Sequence, residues 1–148
     1  MHAENAYVPN KGSGTVTAID AATDEATDEP SPRSSIPQHG CPGKKLRGVA
    51  LDLSGRTLFV VDALANVVLA VDTASGCVKK TLPNILSAEG TQLSPDGRTV
   101  TACAERSNEA IFIDVASLSE SFRVKIQGCN PEHRVYSPTV NGCLRATR

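Results

Sequence analysis

The sequence predicts an all-β fold built from a repeated four-stranded unit, and three observations predict it. First, ALDLSGRTLFVVDALANVVLAVDTAS from Ala50 matches QLSPDGRTVTACAERSNEAIFIDVAS from Gln92 at an offset of 42 residues. Gly55 aligns with Gly97, Arg56 with Arg98, Asn66 with Asn108 and Asp72 with Asp114. Second, short β-branched and apolar runs alternate with Gly, Ser, Asn and Asp, the punctuation of strands and tight turns. Third, LFVVD and VVLAVD are nearly continuous apolar runs, as expected of strands covered on both faces. A period near 42 with strand content points to a β-propeller, in which four-stranded antiparallel blades stack around a channel, or to a related repeat array.

The best-formed unit defines the elements. Gly48 to Asp52 is its first strand and Ser54-Gly55-Arg56 the turn. Leu58 to Asp62 is the second strand, Val67 to Asp72 the third and Cys77 to Leu82 the fourth. The next unit repeats this scheme with Thr91 to Leu93, Thr99 to Ala104, Ala110 to Asp114 and Phe122 to Ile126. Its turn, Ser94-Pro95-Asp96-Gly97, has Pro to preset φ and Gly to close. Ser117-Leu118-Ser119-Glu120 spells a capping box but falls between strands and reads as a turn.

Upstream, Tyr7 to Ala22 holds the second and third strands of an earlier unit. Asp24 to Lys45, rich in Pro, Ser, Asp and Glu, reads as an irregular loop that obscures its fourth strand. Downstream, Arg134 to Pro138 reads as a first strand and turn, and Cys143 to Ala146 begins a second strand. The expected organisation is one domain over 1–148, with repeats near 7–45, 46–90, 91–130 and a partial 131–148. That amounts to about 3 to 3.5 blades, an incomplete ring where 4–8 blades are typical. The expectation is a fragment of a longer propeller, a homodimer that completes a ring, or an open array with exposed edges.

Composition narrows the partners. The net charge of −1 offers no basic surface for nucleic acid or an anionic membrane. No apolar run approaches the ~20 residues of a membrane span. The first ten residues show no signal peptide. With no Trp and five other aromatic residues, stacking platforms for bases or quinones are scarce. Five cysteines, at 41, 77, 103, 129 and 143, include no C-x-x-C pair. Reduced structural thiols are the expectation, with a disulfide in the Cys129–Cys143 segment as the alternative in an oxidising compartment.

The motifs then resemble a known family. YVPNKGSGTVTAIDAATDEAT, AVDTAS and SPDGRT are similar to the YVTN-type β-propeller repeat, with Pro9 in place of the family's Thr. The resemblance covers about 7–138. It implies a surface-layer or lactonase-like propeller superfamily and a periplasmic or cell-surface location. Members of the family include surface-layer proteins and periplasmic or extracellular propellers, and related superfamily members bear lactonase, nitrite reductase or amine dehydrogenase activity. The expected function is a non-catalytic binding or interaction scaffold for a protein or small-molecule ligand. The alternative is a lactonase-like or dehydrogenase-associated enzyme with its site at the channel mouth.

No catalytic, cofactor-binding or metal-ligating residue is assigned. Asp20, Asp72 and Asp114 recur at equivalent positions and read as Asx-type turns rather than a ring of metal carboxylates. Asn10, Asn66 and Asn108 read as left-handed hairpin residues. His39 with Cys41 offers two metal ligands where three or four are usual. Five residues are candidate ligand contacts. Asp62 and Glu105 end second strands, where a channel mouth or a solvated hairpin end are the two readings. Arg47 and Arg134 sit near first strands, where an anionic ligand or a surface ion pair would engage them, and His133 is a candidate for a general-base or haem-ligand role.

Overall fold

The computed structural model describes residues 5–23, 25–26, 45–128, 131–132, 135–136 and 144–145. They form strands in antiparallel sheets. The first sheet, ordered β1-β2-β3, comprises β1 (Asn5–Asn10), β2 (Thr15–Asp20) and β3 (Glu25–Ala26). The second, ordered β4-β5-β6-β7, comprises β4 (Leu46–Leu51), β5 (Thr57–Asp62), β6 (Val67–Asp72) and β7 (Val78–Leu82). The third, ordered β8-β9-β10-β11, comprises β8 (Ala88–Leu93), β9 (Thr99–Ala104), β10 (Glu109–Asp114) and β11 (Ser119–Lys125). A fourth pairs β12 (Val135–Tyr136) with β13 (Leu144–Arg145).

The repeat extends to the irregularities. The register of β4 on β5 shifts between Leu46 and Val49, and that of β8 on β9 between Ala88 and Thr91. On the outer side, β6 and β7 shift between Ala70 and Val71, and β10 and β11 between Phe112 and Ile113. Each bulge lies 42 residues from its counterpart. Bulges bend a strand and raise its twist, so the two sheets share one curvature and can stack face to face.

The stacking explains the apolar runs. Phe59, Val61, Val68 and Ala70 pack with Val100, Ala102, Ala104, Ile111 and Ile113 between the second and third sheets. Their neighbours Leu58, Val60, Leu69 and Val71 point the other way and pack with Val16 and Tyr7 of the first sheet. Strands β5 and β6 are therefore buried on both faces, and alternation disappears from their sequence. The outermost strands differ: β11 is exposed throughout and β7 almost so. Lys79 and Lys80 on β7, and Arg123 and Lys125 on β11, place charge on strands that would otherwise template further pairing.

Gly48 marks where two units meet. A Cβ there would sit 2.6 Å from the Glu89 carbonyl oxygen and 2.8 Å from the Thr91 nitrogen, both backbone atoms of β8. Only glycine permits that approach.

Several expectations need correction. β8 begins at Ala88, three residues before the expected Thr91, because its bulge spans an unpromising Glu89-Gly90. β11 begins at Ser119, so the turn ends at Leu118, which adopts φ 51°. Asn66 and Asn108 do adopt left-handed φ, at 58° and 50°, but the matching residue of the first hairpin is Gly14, at 68°. Asn10 instead ends β1, and its Nδ2 donates to Thr15 Oγ1 at 3.1 Å and Thr17 Oγ1 at 2.7 Å. Glu25–Ala26 pairs with β2 as a two-residue fourth strand inside the expected loop. The rest of that loop, the His39–Cys41 pair and the Cys129–Cys143 segment lie outside the described residues. Cys77 is an exposed thiol, and Cys103 is buried in β9.

Candidate functional site

The recurring aspartates are consumed by their own turns. Asp20 Oδ1 accepts the Ala22 N–H at 2.8 Å. Asp72 Oδ1 accepts the Ala74 and Ser75 N–H groups at 3.1 and 2.9 Å. Asp114 Oδ1 accepts the Ser117 N–H at 2.7 Å and its hydroxyl at 2.8 Å. Bonds that require a charged acceptor depress its pKa. The Ser75 backbone and the Lys79 ammonium hold Asp72 far below the usual carboxylate range, and Ser117 lowers Asp114.

Asp62 is also a turn residue. It is 1% exposed, and its Oδ1 accepts the Leu64 and Ala65 N–H groups, both at 3.1 Å. It is therefore not a solvated hairpin end.

The charged groups that face one another lie on the first strands and the segments beside them. Arg47, on β4, pairs through Nη1 with Glu89 Oε2, on β8. The two residues are 42 apart, so they hold the same place in successive repeats. Each precedes the glycine of an equivalent bulge, Gly48 or Gly90. The Glu89 side chain is 7% exposed and that of Arg47 is 29% exposed. Glu105, in the turn after β9, faces Glu89 from the same sheet. Its Oε2 accepts the Ser87 hydroxyl at 3.2 Å, and its N–H donates to the Ser87 carbonyl at 3.2 Å. Ser87 has φ 51°, and its N–H donates to Asn66 Oδ1 at 2.8 Å. A hairpin asparagine of one unit thus positions the serine that orients the glutamate of the next.

Burial raises the Glu89 pKa first of all, with Arg47 pulling against it and the Glu105 carboxylate pushing it up further. Two carboxyl groups and one guanidinium thus meet at the junction, and Glu89 keeps its proton more readily than an ordinary carboxylate. Glu89 Oε1 has no hydrogen-bond partner, and neither do the buried Arg47 Nε, Thr91 Oγ1 and Gln92 Oε1. Away from β4 and β8, the Ser107 hydroxyl lies against the Glu109 carboxylate and lowers its pKa. Buried polar atoms are ordinarily paired, so this concentration on two first strands marks them as the chemically unfinished part of the molecule.

Of the five candidate contacts, the structure brings Arg47 and Glu105 to one cluster through Glu89, and sets Asp62 into its turn. His133 and Arg134 lie outside the described residues. The neighbouring Glu132 is described, and its carbonyl accepts the Gly90 N–H at 3.0 Å. Glu89 was missed by sequence reasoning. The available signal was the charged residue before glycine in Leu46-Arg47-Gly48 and Ala88-Glu89-Gly90, 42 residues apart.

No family model matches this chain, and no curated protein does. Solved structures do, in 543 chains, so the architecture is widespread and cannot by itself select a function. Hydrazine synthase of Kuenenia stuttgartiensis is similar at 20% identity and TM-score 0.70, over 86% of this chain and 34% of that one. A nidogen/laminin complex is similar at 13% identity and TM-score 0.62, over 82% of this chain and 43% of that one. The chain thus spans less than half the length of either. Both neighbours contain β-propellers, and the all-β, propeller-like fold of this chain rests on that likeness and on its stacked antiparallel sheets.

Proposed function

We propose that this chain is a non-catalytic β-propeller scaffold of the YVTN-repeat type, binding a protein or small-molecule ligand at the inner edges of its blades. The repeats near 7–45, 46–90, 91–130 and 131–148 supply about 3 to 3.5 blades of an incomplete ring. A second copy or a longer chain completes it. The observation that carries the binding reading is the set of unpartnered buried polar atoms on β4 and β8. Arg47 and Glu105 are contacts in this reading, Glu89 joins them, and His133 and Arg134 stay candidates on the sequence alone. Asp62 has a structural role instead. The two named neighbours fit a fold used in several ways, since one is an enzyme by its name and the other a complex of two proteins.

The test is a ligand screen by thermal shift on the intact chain, repeated with Arg47→Gln and Glu105→Gln. The expected result is a set of hits that stabilise the parent and lose their effect in both variants. Hits that stabilise parent and variants equally place binding elsewhere and contradict the reading.

A further inference from the structure

The charge balance at the β4–β8 junction narrows the ligand class, an inference that rests on the binding reading above. Glu89 is more than nine-tenths buried, and one of its two oxygens is unpartnered. Arg47 occupies the other oxygen. Glu105 adds a second carboxylate that faces Glu89 and brings only acceptors when ionised. The unpartnered Glu89 Oε1 asks for a donor, and a cation that carries N–H groups supplies one to both carboxyl groups. A divalent metal suits the site poorly. Calcium takes 6–8 oxygen ligands, whereas among the described residues two carboxyl groups and the Ser87 hydroxyl gather here, beside a guanidinium that repels a metal. Among the described residues, no three His, Cys, Asp or Glu side chains gather as a metal set. An ammonium or guanidinium group carries both the charge and the N–H donors, and can bridge Glu89 Oε1 and Glu105.

We propose that Glu89 and Glu105, with Arg47 fixing the Glu89 carboxylate from its other side, form a receptor for an ammonium or guanidinium group on the ligand. The group is carried either by a small amine or by a lysine or arginine side chain of a partner protein. Ser87, held by Asn66, is the positioning residue that aims Glu105.

Nitrogen-15 NMR of the intact chain tests this, with methylammonium chloride as probe. Tetramethylammonium chloride at equal ionic strength is the control, having the same charge without N–H donors. Methylammonium is expected to shift the amide signals of Gly90 and Arg106 saturably, and tetramethylammonium not to. Glu105→Gln, a substitution at a half-buried turn residue, is expected to weaken the response by about tenfold or more. Glu89→Gln is expected to do the same where it folds. Tighter binding by an acetylated, amidated Gly-Lys-Gly peptide than by methylammonium assigns the group to a protein side chain, and the reverse assigns it to a small amine. Equal, linear shifts with both salts overturn the proposal. So does a Glu105→Gln response equal to the parent's, or signals that move with pH alone, which would mean that the carboxylates share only a proton. If methylammonium fails while a screened ligand still loses binding in Arg47→Gln, the cationic class falls and the binding reading stands. If neither is seen, both fall.

Discussion

Glu89 sets the sharpest expectation at the residue scale. Its folded pKa is raised above the ordinary carboxylate value. The folded state therefore holds a proton that the unfolded state has released. The Glu89 contribution to stability is fully present below its unfolded value of ~4.3 and is lost as pH rises through the folded one. Glu89→Gln should flatten that segment of the stability–pH curve, read by urea denaturation at several pH values. Asp72 and Asp114 have the opposite sign, since their folded pKa values are depressed. Their stabilisation is present above the unfolded value of ~3.9 and disappears as pH falls through the folded values. Asp72→Ala should therefore lower the melting temperature at pH 7 and reduce the steepness of acid unfolding. Gly48 carries a steric prediction. Gly48→Ala forces a Cβ into the backbone of β8 and should cost about 2 kcal/mol or more in chemical denaturation. Gly12→Ala, with nothing within 4 Å of the added carbon, should be close to neutral.

At the scale of elements, the repeat was legible because turns and cores obey local rules. Val67–Asp72 and Thr99–Ala104 follow from apolar runs closed by Asp or Ala before a turn, and they match the strands found. The SPDG and DLSG turns carry their own signals, with Gly97 and Gly55 at φ 72° and 71°. What was not legible depends on partners distant in sequence. Glu89 reads as loop because a charged residue before glycine has low strand propensity. Only pairing with β9 and the close passage of Gly48 make it strand. Asn10 was misread because an asparagine in a hairpin suggests left-handed φ, whereas Gly14 already supplies it there. Of the candidate cluster, Arg47 and Glu105 stand out in the sequence near strand ends, but the buried Glu89 that joins them does not. The hairpin that couples units gives an element-scale test. Asn66→Ala removes both a favoured left-handed residue and the acceptor for the Ser87 N–H. Asn66→Gly keeps the first alone. The alanine variant should be the less stable by thermal melting, and the glycine variant should show an altered Glu105 environment with a smaller loss of stability.

For the whole molecule, stability resides in the contact between sheets rather than within any one of them. Phe59 is completely buried between the second and third sheets. Phe59→Ala should cost ~3–5 kcal/mol, a large part of a typical domain's total. The outer strands contribute less, since β11 is solvent-exposed along its length and its Arg123–Glu120 pair is a surface contact. In a stacked array each unit depends on its neighbours, so loss at one interface spreads to both. The same stacking sets the first strands side by side, which is how residues 42 apart come to share a charge balance. Mass in solution tests the ring reading: light scattering should give about twice the 15.5 kDa chain for a ring completed by two copies.

The measurement that tests the central claim most directly is native-state hydrogen exchange of the intact chain, with and without Phe59→Ala. The account predicts that β5, β6, β9 and β10 are the most protected strands, that they open together, and that the single substitution lowers protection in both sheets. Protection lost from the second sheet alone, with the third unchanged, would contradict a repeat array held together by the stacking of its units.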